Sequence, residues 1–183
     1  MRLHIFGASG TGVTTLGQAL GSTLGVPYFD SDDYFWERSN PPFTVRRPPA
    51  ERDAALAADL AQPPRWILGG SIVGWGPQWL RAFDLAVFLW LPPTLRLHRL
   101  QQREQERYGD VIFANPERAA QTQAFLAWAA GYDDNTAGGS RTLANHTAWL
   151  SQFSCPVLAL RGDLTVTQRL GLVQAKLRET GLG

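Results

Sequence analysis

Residues 7–15 read Gly-Ala-Ser-Gly-Thr-Gly-Val-Thr-Thr, between an apolar run of strand length, Leu3–Phe6, and a stretch of helical periodicity, Val13–Leu24. Few short segments constrain a fold so strongly. Glycines at 7, 10 and 12 let the backbone curl until consecutive N–H groups converge, and the helix that follows adds the positive end of its dipole at the same spot. The spacing Gly-x-x-x-x-Gly-x-Thr fits Gly7, Gly12 and Thr14 to a phosphate-binding loop, and the strand-to-helix context separates such a loop from a chance run of glycines. A dinucleotide-binding turn needs Gly-x-Gly-x-x-Gly, which the order here does not give. One position departs from the phosphate-loop pattern: Val13 stands where a lysine is expected. The donors along Gly7, Ser9, Gly10, Thr11, Gly12, Val13, Thr14 and Thr15 belong to the backbone and survive that change. Thr14 is placed to put its hydroxyl on Mg²⁺ beside the β- and γ-phosphates of a nucleotide. What is lost is a mobile charge, roughly a few kcal/mol of stabilisation for a transferring phosphoryl group. The only lysine, Lys176, lies in the last helical stretch, so an arginine has to supply that charge.

Further apolar runs at Trp66–Leu68, Leu85–Leu91 and Val157–Leu160, with a short strand at Tyr28–Phe29, alternate with helical stretches at Ala50–Leu60, Thr94–Arg107, Pro116–Ala130, Arg141–Phe153 and Val166–Glu179. Strands separated by helices predict an α/β fold with a parallel sheet, whose ligands lie beyond the carboxyl ends of the strands. Pro41, Pro42, Pro48 and Pro49 mark a loop within a single domain of 183 residues.

Several segments fall at those strand ends. Tyr28–Trp36 groups Asp30, Asp32 and Asp33, carboxylates able to hold Mg²⁺ waters or to take a proton from an attacking hydroxyl, or else to cap a turn. Arg96, Arg99, Arg103 and Arg107 recur at spacings of three and four, on one helix face. Such a stripe suits phosphate, with Arg99 and Arg103 the foremost candidates, unless Glu104 and Glu106 offset it on a solvated face. After Tyr108, residues to about 141 interrupt the rhythm of the sheet and are expected to form a helical lid carrying Arg118 and Arg141, or plain packing through Phe125 and Trp128. Small residues in Trp66–Gly76 suit the floor of an acceptor pocket, and Arg46 and Arg47 offer charge to an anionic acceptor.

A net charge of +1 argues against a general binder of nucleic acid or of membrane surface, although charge can be unevenly placed, and a small-molecule partner is expected. Cys155, the only cysteine, allows no intrachain disulfide and is expected to be a small buried hydrophobe. The apolar run before Gly7 is too short for a signal-peptide core, so a cytoplasmic protein is expected.

Together the loop, the acidic pair, the arginine helix with its lid and the segment Arg161-Gly162-Asp163 resemble the small-molecule phosphoryl-transfer branch of P-loop proteins, the adenylate kinase-like and shikimate kinase-like enzymes. That resemblance implies a five-stranded parallel sheet flanked by helices in a three-layer P-loop NTPase fold, with ATP and Mg²⁺ as cofactors. Asp30-Ser31-Asp32 is similar to the Asp-x-Asp of shikimate kinases, which implies Asp30 near the metal and Asp32 near the acceptor hydroxyl. Arg99 and Arg103 match the arginine pair that precedes the lid in adenylate kinases, and Arg161–Asp163 resembles their adenine-flanking loop. The chain also resembles bacterial adenylate kinase-related proteins whose loops lack the lysine. Two activities follow as expectations: ATP-dependent phosphoryl transfer to a small acceptor, or nucleotide binding with little or no catalysis because of Val13.

Overall fold

The computed structural model describes residues 1–40 and 42–183; Pro41, one of the loop-marking prolines, lies outside the described residues. Five strands, β1 (Arg2–Gly7), β2 (Tyr28–Asp30), β3 (Trp66–Gly69), β4 (Leu85–Trp90) and β5 (Val157–Arg161), form one parallel sheet in the order β2-β3-β1-β4-β5. The register sets Gly7 against Leu89 and Asp30 against Gly69, so the phosphate loop and the acidic segment leave the same edge of the sheet.

Alternation along the strands divides the core in two. Leu3 and Ile5 of β1, with Leu85, Val87 and Leu89 of β4, point to one face, where α1 (Val13–Leu24) and α8 (Val166–Glu179) cover them through Leu16, Leu20, Val173 and Leu177. Phe6 and Phe88 point to the other face and meet Leu56 and Leu60 of α3 (Pro49–Leu60) and Trp149 of α7 (Leu143–Leu150). The result is three layers, helix on sheet on helix. Cys155 is half-buried at the edge of the aromatic cluster, less enclosed than its sequence suggests.

Between β4 and β5 lie α4 (Pro93–Tyr108), the single turn α5 (Val111–Ala114), α6 (Pro116–Ala130) and α7. Asn115 caps α6 by accepting from the Arg118 N–H, and Thr142 caps α7 by accepting from Asn145, so α7 starts later than periodicity predicts and Arg141 is left outside it. A five-residue helix, α2 (Ser31–Phe35), follows β2, in a segment for which the sequence predicts no helix, and Pro49 opens α3 at its first turn. Among the described residues, no helix is long and apolar enough to cross a membrane.

Candidate active site

The phosphate loop owes its shape to β1 and α1. Gly10 and Gly12 have φ of 85° and 91°, left-handed conformations in which a side chain is strained. Thr11 ties the loop from within, its N–H and its hydroxyl both donating to the Ala8 carbonyl, at 3.2 and 2.8 Å. The Thr14 and Thr15 side chains are exposed, while Val13 turns partly into the core beneath α1 and α8. The position expected to carry lysine is therefore a packing position here.

Asp30 closes the space beside this loop. Its Oδ2 accepts from the Thr14 hydroxyl at 3.0 Å and from the Tyr28 hydroxyl at 2.8 Å, and its Oδ1 accepts from the Asp32 N–H at 3.0 Å, capping α2. Tyr28 reaches Asp30 because both lie on one face of β2, two residues apart. A Cβ at Gly17 of α1 or Gly69 of β3 would overlap its ring, so the two glycines make the slot that Tyr28 fills. Burial, then the adjacent Asp30 charge, holds the phenol of Tyr28 protonated well above the ordinary tyrosine range, and so keeps it a donor. Sequence reasoning missed Tyr28; a tyrosine two residues before a strand-end aspartate, with glycines on the flanking elements, is the signal that could have found it.

Asp32 points toward the inserted helices, where Arg141 donates to its Oδ1 at 3.0 Å. Asp33 is exposed, and its carboxyl is raised above the usual carboxylate range by partial desolvation and then by Asp30 and Asp32. The expected acceptor-pocket floor backs onto this segment: Gly70 packs on Ser31, and the buried Ser71 contacts His146 of α7, 2.9 Å from hydroxyl to Nε2. The other ring nitrogen of His146 meets the Tyr132 hydroxyl at 2.8 Å. Burial, with a smaller push from Arg141, lowers His146 to about 3, so it joins these hydroxyls as a neutral ring. Across the gap, Arg52 lies 3.9 Å from the Trp75 ring and pairs with Asp53 at 2.7 Å. Arg46 stacks near Phe35 and Trp36 instead of standing free, and Tyr34 of the same segment is buried.

The arginine stripe divides among unlike neighbours. Arg96 is 1% exposed; it donates to the Ala129 carbonyl at 2.8 Å and to Asp133 at 2.7 Å, and Asp133 also accepts from the Trp90 indole. That corrects its place on a phosphate-facing stripe: it locks the end of α6 onto α4 and β4. Arg99 pairs with Asp163 at 2.6 Å beside the loop after β5. Arg103 lies against the Phe125 ring and Glu104, within electrostatic reach of Asp32. Arg107 is exposed and flanked by Phe43 and Tyr108. On α6, Arg118 stacks 3.9 Å from the Tyr108 ring and pairs with Glu104 at 3.3 Å, which draws the inserted helix onto α4.

A cavity of about 450 Å³ opens between the phosphate loop and the start of α8, lined by Gly12, Thr15, Leu16, Arg99, Asp163 and Arg169 among others. The resemblance assigned Arg161–Asp163 to the surroundings of a base; Asp163 lines this cavity, while Arg161 turns toward Phe88 and Trp90. Arg169 was not singled out from sequence. Its signal was weak, a lone arginine near the start of an amphipathic helix, yet it is 4% exposed and donates from Nη1 to the Thr11 carbonyl at 2.6 Å.

Solved structures share this architecture. Shikimate kinase from Aquifex aeolicus superposes with a TM-score of 0.59 at 18% identity, covering 100% of this chain and 99% of the other. Shikimate kinase from Bacteroides thetaiotaomicron gives 0.58 at 19%, covering 97% and 98%. Deoxyadenosine kinase from M. mycoides, solved with dCMP and dCDP bound, gives 0.52 at 16%, covering 98% and 99%. The fold is that of the P-loop small-molecule kinases. No protein-family model matches the chain. The uncharacterized protein YqaC of Bacillus subtilis (strain 168) is 42% identical over 171 residues, spanning 93% of this chain and 94% of that protein. With that identity sustained over nearly the whole of both proteins, the chain belongs to the YqaC family.

Proposed function

We propose that the protein transfers the terminal phosphoryl group of ATP to a hydroxyl of a small-molecule acceptor. The observation that carries this reading is the polar line from Thr14 to Asp30, through the turn that Asp30 caps to Asp32, and on to Arg141. It puts the carboxylate that meets the phosphate cradle, Asp30, two residues from a carboxylate able to take a hydroxyl proton, Asp32, which the Arg141 guanidinium reaches from the segment before α7. In this reading the N–H groups of Gly7–Thr15 hold the phosphates, and Thr14 and Asp30 hold Mg²⁺. Their oxygens are hard donors that suit the ion, with nucleotide oxygens and water completing its shell. When bound, magnesium neutralises charge on the phosphates.

Asp32 accepts the proton of the acceptor hydroxyl, the hydroxyl oxygen bonds to the γ-phosphorus, and the bond from that phosphorus to the bridging oxygen breaks, releasing ADP. Arg99 and Arg103 approach from the α4 side as phosphate partners, and Arg141 gives up Asp32 when the acceptor enters. Residues from about 108 to 141 act as a lid that excludes water during transfer. The kinases that share the fold support the reaction class.

A specific observation favours a second reading, nucleotide binding without turnover: an apolar Val13, packed partly against the core, stands at the lysine position, so the loop carries no mobile cation of its own. One experiment separates the two. Given ATP labelled on the γ-phosphate, Mg²⁺ and a panel of hydroxyl-bearing metabolites, the wild-type protein should pass label to an acceptor, and Asp32→Asn should slow that transfer by about 10²- to 10⁴-fold while leaving ATP affinity unchanged. ATP binding with neither labelled product nor released phosphate is the result that establishes the second reading.

A further inference from the structure

We infer that Arg169 is the cation of the phosphate loop, supplying from the last helix the positive charge that Val13 withholds from a bound nucleotide. The inference rests on the nucleotide-binding reading above. Its ground is the placement of one buried side chain. Arg169 crosses from α8 to the flank of the loop, where Nη1 holds the Thr11 carbonyl at 2.6 Å. Its guanidinium fills the space beside Gly12, since a Cβ there would lie 3.0 Å from Nη1. A side chain at position 12 and this arginine compete for one volume, so the glycine serves the arginine as well as the turn.

Arg169 also lines the cavity that opens at Gly12 and Thr15, and its Nε is buried with no hydrogen-bond partner. Arginine is almost never enclosed without a paired anion. Here no carboxylate salt-bridges the buried guanidinium among the described residues; Asp163, the acidic residue of the cavity lining, is taken by Arg99. Desolvation and then the nearby Arg99 weaken the hold of Arg169 on its proton more than Asp163 strengthens it, a net strain that an anion in the cavity relieves. The loop and cavity thus combine converging N–H groups, a fixed guanidinium and surplus positive charge, a combination suited to the phosphates of a nucleoside di- or triphosphate. A lysine at position 13 would bring its charge from within the loop; Arg169 brings it from outside, which frees position 13 for an apolar residue.

Calorimetric titration with ATP, ADP and adenosine tests this directly. Arg169→Gln removes the charge while keeping a polar amide on a shorter stem. It should lose at least about tenfold in affinity for ATP and ADP while binding adenosine as the wild type does, and adding Val13→Lys to it should restore much of the loss. A residue that merely props the loop would not be rescued by a charge at position 13. Unchanged ATP affinity in a folded Arg169→Gln variant, or equal losses for adenosine and ATP, would overturn the inference. The wild-type protein gives a second readout that needs no variant: the Nε–H resonance of Arg169 should shift on addition of ADP and not of adenosine, and its indifference to ADP would also overturn the inference. If the wild-type protein binds none of the three ligands, the nucleotide-binding reading itself fails and this inference goes with it.

Discussion

Single residues in this site are defined by what they touch more than by their type. Val13 is a substitution in a motif when read in sequence and a partly buried residue packed against the core in the fold. Tyr28 is an unremarkable strand aromatic until its hydroxyl is found on Asp30. The loop, Asp30 and Asp32 were legible because their spacing and strand-end position follow from backbone geometry; Tyr28 and Arg169 were not, because each contributes across a gap between elements that periodicity cannot see. The same holds for His4, which stacks on Phe6 and Phe83 with ring centroids 4.9 and 4.5 Å away. Desolvation lowers both His4 and His146 to about 3. Each stays neutral in the folded protein while the unfolded chain protonates it near pH 6.5, so the folded state loses stability as pH falls below that value and continues to lose it until about pH 3. Between pH 6 and 5, above the carboxylate range, urea unfolding should report a loss of about 1.2 kcal/mol for each histidine. His4→Leu should remove about half of that slope; an unchanged slope would show that the His4 ring reaches a proton in the fold.

At the scale of elements, the strands and the long helices followed from hydrophobic period, and α1, α6 and α8 have the bounds that the sequence predicts. Short elements did not, since α2 is only five residues long and carries two acidic residues in its first turn, too brief for a periodic signal. Helical spacing set four arginines on one face of α4 but could not say what would face each of them. Arg96 is the clearest case, buried at the junction of α4, α6 and β4 with Ala129 and Asp133. Replacing it with methionine leaves Asp133 and the Ala129 carbonyl without their partner in a half-enclosed site. A loss of about 3 kcal/mol is expected, a fall in melting temperature of roughly 6–12 °C for a domain of this size. Thermal unfolding checks this, and a fall under 2 °C would mean that the end of α6 is held by packing alone.

On the scale of the whole molecule, the parallel sheet gathers every candidate group at one edge. The phosphate loop leaves β1, the acidic turn leaves β2, the glycine pair leaves β3, the arginine helix follows β4, and the cavity loop follows β5. That convergence is a property of the topology, and it was legible as soon as strands were seen to alternate with helices. The sequence does not display the charge balance around the site, because four of its arginines, Arg99, Arg103, Arg141 and Arg169, lie near it on three separate segments. In the function proposed here, this edge holds a nucleotide without the lysine of the loop. Titration of the wild-type protein with ATP, with and without Mg²⁺, tests it most directly. Saturable binding, tighter for ATP with Mg²⁺ than for ATP alone, is expected; no heat of binding at millimolar ATP under either condition would mean that the edge holds no nucleotide.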